Sequence, residues 1–69
     1  MKILDKIKAE LNFHMMEGHT PKAIIIHPVT ERRIFIDDEL SKSESVESYF
    51  KLPVILSKEV KEGDVWIAI

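Results

Sequence analysis

Between Lys2 and Glu17 the apolar residues Leu4, Ile7, Leu11 and Met15 recur every three or four positions, with Ile3 beside them. That spacing draws one apolar stripe along a helix, and Lys6, Lys8, Glu10 and Glu17 fall off it. Gly18 can take positive φ and Pro21 follows shortly after, so the helix is expected to stop there. The spacing then tightens. Lys22 to His27 reads KAIIIH, and three consecutive Ile leave no polar alternate. Such a run predicts a strand buried on both faces, hence the central strand of a sheet. Pro28 ends it, because proline has no N–H for a ladder.

Val29 to Leu40, VTERRIFIDDEL, carries two signals. Ile34, Phe35 and Ile36 favour a strand. Thr30 as a cap, Glu31 in a first turn and the spacing Val29, Ile36, Leu40 favour a helix. Asp37, Asp38 and Glu39 near the end would oppose the helix dipole; a helix is nonetheless the expectation. Ser41 to Ser48, SKSESVES, has no apolar face and reads as a loop. Tyr49 to Ser57 alternates: Phe50, Leu52, Val54 and Leu56 share one face of a strand, and Tyr49, Lys51, Pro53 and Ile55 the other. Pro53 marks an edge or a bulge. Ser57 to Asp64, charged and containing Gly63, reads as a turn. Val65 to Ile69 is the last strand, with Val65, Ile67 and Ile69 opposite Trp66 and Ala68, and its apolar WIAI requires cover. The expected fold is α+β: a small two-layer α/β sandwich in the order α-β-α-β-β, one domain over residues 1–69. Its three-stranded mixed sheet is expected to end in a C-terminal antiparallel hairpin.

Composition adds a constraint on stability. Sixty-nine residues, 45% hydrophobic, make one small core. A core of this size supplies about 3–5 kcal/mol, and small domains add disulfides, metals or self-association. The chain has no Cys, so disulfides and thiolate metal sites are excluded and self-association is the expected supplement. The net charge is −2, with both signs interspersed. That balance argues against a dedicated nucleic-acid surface. Charges interrupt MKILDKIKAEL, so it does not read as a signal peptide, and no apolar run approaches the ~20 residues of a membrane helix. A soluble, cytoplasmic protein is the expectation.

Candidate chemistry is sparse. Gly18 and Gly63 are too far apart in the sequence for a phosphate-binding loop. His14, His19 and His27 are the one group of residues suited to catalysis or a metal, with Glu17 as a fourth ligand; their spacing matches no metal motif, and ordinary boundary histidines are the preferred reading. Asp37, Asp38 and Glu39 lack the alternation and central Gly of a calcium loop. Arg32 and Arg33, among acidic neighbours, read as a solvated face or as ion-pair partners. No catalytic residue, cofactor or metal is therefore assigned. Met15 lies on the helix stripe and is expected in the core, whereas Phe13 and Met16 lie off it. Phe13, Met16, Tyr49, Lys51, Pro53 and Trp66 are the candidate interface residues, with Trp66 as the largest anchor and Tyr49 and Phe50 expected near it.

The motif order resembles a known family. Ala23 to Pro28 is similar to the first strand of the axial domain of tailed-phage major capsid proteins and encapsulins. Leu52, Pro53 and Val54, with Ser57, resemble its proline-valine strand, and Gly63 with Val65 to Ile69 its turn and closing strand. Leu52 adjoins Pro53 without the Gly usual in that family. The resemblance implies a stand-alone axial-domain-like protein of phage or prophage type: non-enzymatic, structural, and associating with itself or with a virion or host protein. The alternative from another class is a small regulatory module that binds a host protein or nucleic acid.

Overall fold

The computed structural model describes residues 2–37, 40 and 43–69. Helix α1 spans Ile3–Met16. Its stripe buries Leu4 and Ile7, while Leu11 packs against the core only in part. Burial falls away towards the end of the stripe, and Met15, expected in the core, is 61% exposed. Its end is a Schellman cap: Gly18, at φ 85°, donates its N–H to the Met15 carbonyl at 3.0 Å, and His19 donates to that of His14 at 2.9 Å.

Strand β1, Ala23–Ile26, is the central strand, as its unbroken apolar run predicts. Helix α2, Pro28–Ile36, follows at once. Its cap is His27 rather than Thr30: the His27 Nδ1 accepts from the Val29 N–H at 3.0 Å, and Pro28 takes the first helical position, where no N–H is needed. Thr30 lies one turn in and is fully buried. Of the acidic run after α2, Asp38 and Glu39 lie outside the described residues, as do Ser41 and Lys42 of the expected loop.

Helix α3, Val46–Phe50, replaces the end of that loop and the start of the expected 49–57 strand. Its signal is a capping box in which serine occupies both positions. The Ser45 hydroxyl accepts from the Ser48 N–H at 3.1 Å, and the Ser48 hydroxyl accepts from the Ser45 N–H at 2.9 Å. Lys51, at φ 58°, reverses the chain out of the helix. Strand β2 is accordingly only Val54–Leu56, and β3 is Trp66–Ala68.

The sheet is mixed, in the order β2-β1-β3. Strand β2 runs parallel to β1, joined by the crossover through α2 and α3, and β3 runs antiparallel to it. The three-stranded α+β architecture is as expected, but the C-terminal hairpin is not formed. Strands β2 and β3 occupy opposite edges. The segment between them crosses the end of β1 instead of turning back. Val60, fully buried, anchors it from within. Gly63, at φ 86°, is held from two sides: its N–H donates to the Thr30 hydroxyl at 2.9 Å, and its carbonyl accepts from the Lys6 ammonium, which also pairs with Asp64 at 3.6 Å. The core lies between the helices and one face of the sheet, and joins Leu4, Ile7, Ile24, Ile26, Ile34, Leu40, Val46 and Val65.

Candidate functional site

The sheet has a second face, and the register determines its contents. Ile24 and Ile26 enter the core, so Ile25 between them points the other way. Ile25 stands opposite Ile55 in β2 and opposite Trp66 in β3. The three side chains form a row across the outer face, with Ala23 and Ala68 paired alongside. The row is apolar and open: Ile55 is 48% exposed and Trp66 50%. The strands AIII, VIL and WIA contain no polar residue on either side. A sheet with one face in water normally alternates apolar and polar residues, so this composition is that of a sheet covered on both sides.

The expected interface residues are all at the surface but not in one patch. Trp66 belongs to the outer row. Phe13 and Met16 sit on the last turn of α1, at 57% and 87% exposure. Tyr49, Lys51 and Pro53 gather at the corner between α3 and β2, where Lys51 and Pro53, with Ser45, Glu47, Ser48 and Leu52, line a depression of about 310 Å³ open to solvent. Tyr49 does not join Trp66. Its ring meets that of Phe50 edge-on at 4.8 Å, and Phe50 packs against the core on the opposite side of the sheet from Trp66. The Lys8 ammonium lies 5.3 Å from the Tyr49 ring centroid. Hydrogen bonding and charge attraction to Tyr49 hold Lys8 above its ordinary value of 10.5. The outer row's other two members, Ile25 and Ile55, are absent from the sequence-based candidates. The signal for them was the lack of any polar alternate in the strands, which singles out a face only once the register is known.

His27 caps α2. His14 and His19 have ring centroids 5.9 Å apart because they occupy the two positions that a Schellman cap brings into side-chain contact. Arg32 and Arg33 are exposed on α2. Among the described residues, no cluster of three or more His, Asp or Glu is placed to hold a metal, and no helix is long and apolar enough to cross a membrane.

No family model, curated protein or solved structure matches this chain.

Proposed function

We propose that this chain is a non-enzymatic structural or interaction protein whose outer sheet face docks against another protein surface. One observation carries the reading: every strand residue is apolar, yet Ile55 and Trp66 stand half in water. Leaving this face bare costs solvation free energy at roughly 25 cal/mol per Å² of apolar area. A covering layer recovers that energy. The segments that resemble the capsid axial domain are those that make the sheet, which supports a phage-type role, in the cytoplasm or on a virion, with self-association or a viral or host protein as the contact.

The reading is tested by light scattering on the purified protein, alone and mixed with the products of neighbouring genes. Association is expected, and Ile55→Lys is expected to abolish it while Arg32→Ala, on the helix layer, leaves it intact. Absence of association with any of these proteins, or association indifferent to Ile55→Lys, would overturn the reading.

A further inference from the structure

We infer that the C-terminal end of α1 is a transition-metal site, in which His14 and His19 together hold one divalent ion of the imidazole-preferring kind, Cu(II) most tightly. The inference is independent of the docking face. It begins with the backbone. Helix α1 ends at Met16 with Glu17 as its C-cap, so His14 stands three positions before the cap and His19 two after it. The Schellman motif joins these two positions: the His19 N–H donates to the His14 carbonyl at 2.9 Å, and Gly18, at φ 85°, makes the reversal. The side-chain contact that usually accompanies this motif is apolar. Here it is a contact between two imidazoles. The backbone between them is already fixed by hydrogen bonds, so an ion held by both rings orders little further chain.

The ring centroids lie 5.9 Å apart with their planes inclined by 37°. An ion about 2.0–2.1 Å from a ring nitrogen lies about 3.2 Å from that ring's centre, so one ion shared by two rings holds their centres between about 4.5 Å, at a right angle, and about 6.4 Å, in line. The observed separation falls inside that span, and the site closes by turning side chains on a fixed backbone. The His14 Nδ1 is buried and has no hydrogen-bond partner, so coordination falls to Nε2, while the Phe13 ring braces the imidazole edge-on at 5.6 Å. His19 is exposed and free to turn towards it. The pair sits at the negative end of the helix dipole, where a cation is favoured, and the exposed Glu17 adds charge of the same sign. Imidazole suits copper, nickel and zinc, and copper leads that divalent series. Among the described residues no third His, Asp or Glu converges on the pair, so water fills the remaining positions and the ion stays exchangeable. His27 takes no part, because its Nδ1 is committed to the cap of α2.

The test adds copper(II) chloride or zinc chloride to the purified, untagged chain, with affinity read by calorimetry and location by NMR. The expected result is one ion per chain, Cu(II) bound more tightly than Zn(II), and paramagnetic broadening by copper that begins at the His14 and His19 ring protons. This arm needs no substitution. His14→Gln and His19→Gln, each confirmed folded by circular dichroism, are each expected to raise the dissociation constant roughly tenfold or more, because the second ligand acts within the same chain. His27→Asn, which keeps a capping oxygen for α2, is expected to leave it unchanged. Ile55→Lys, which removes the docking face, is expected to bind copper as the wild type does, so the two readings fail separately. Copper bound equally by the wild type and by the double variant His14→Gln/His19→Gln, or broadening centred on His27 or the amino terminus, would show an adventitious ion only and overturn the inference. Absence of saturable binding of either metal overturns it as well.

Discussion

Thr30 gives the sharpest test of how the fold is held together. Its side chain is fully buried, and its hydroxyl accepts the Gly63 N–H at 2.9 Å, tying the first turn of α2 to the segment that crosses the sheet. Thr30→Val keeps the shape and removes the acceptor. Leaving a partly buried N–H unmet costs about 1–2 kcal/mol, the lower part of the range for such groups. The new methyl group returns about 0.5 kcal/mol through apolar burial, less than the ~0.8 kcal/mol of a CH₂ buried among apolar atoms, because it faces the unmet N–H. The net loss is about 0.5–1.5 kcal/mol, a large share of the ~3–5 kcal/mol available to a domain of this size. Urea unfolding, with a slope near 1 kcal/mol/M for so short a chain, should place the variant's midpoint roughly 0.5–1.5 M lower. Stability alone does not separate the bond from packing, because Thr30→Ser keeps the hydroxyl but loses a methyl and costs a similar ~1 kcal/mol. Amide exchange at Gly63 does separate them. That N–H should exchange faster in Thr30→Val and stay protected in Thr30→Ser, measured relative to the global opening rate of each variant. Unchanged Gly63 protection in Thr30→Val, with stability within about 0.3 kcal/mol of wild type, would refute the argument.

Gly63→Ala should cost about 1–2 kcal/mol, because φ 86° strains any residue with a Cβ although open space surrounds the position. Gly63→Asn should cost less, and equal losses in calorimetry would show that backbone conformation is not the cause. Tyr49→Phe should lower the Lys8 pKa by removing the hydroxyl that raises it, as read from the pH titration of the Lys8 ε-protons. The sign follows from linkage. A raised folded-state pKa lends stability below the ordinary 10.5, and that contribution disappears as pH rises through the folded value, so this part of the difference between variant and wild type should be gone at strongly alkaline pH.

The elements whose burial obeys a single period were legible from sequence. The stripe through Leu4, Ile7 and Leu11 defined α1, and the Ile run defined the middle of the sheet. Within the ambiguous 29–40 segment the helix runs to Ile36, for a reason the sequence held in another place: His27 caps it and Pro28 starts it. The proposed cap, Thr30, was the right kind of residue with a different, long-range partner. Helix α3 was hidden because serine stands where a capping box more often has Glu or Gln, and because five residues are too few for a visible stripe. The missing hairpin is a matter of topology. Adjacent strands pair more often than not, and Val60, the residue that pulls the connection across the sheet, looks in the sequence like one apolar position in a polar turn. The outer face required register, which alternation alone does not supply. Each strand shows two apolar sides, and only pairing reveals that Ile55, Ile25 and Trp66 fall on the same one.

The crossed connection between β2 and β3 also bears on how the protein is made. The middle strand emerges early during synthesis, but both of its neighbours belong to the final third of the chain. Until Leu56 has appeared, KAIIIH has no ladder on either side, and until Ala68 has appeared one side remains open. A piece that stops before β2 contains no paired strand, and there α1 and β1 are an amphipathic helix and a bare isoleucine strand. All pairing of β1 is thus with strands distant in sequence, so the sheet carries the loop-closure cost that makes long-range pairing the slow part of folding.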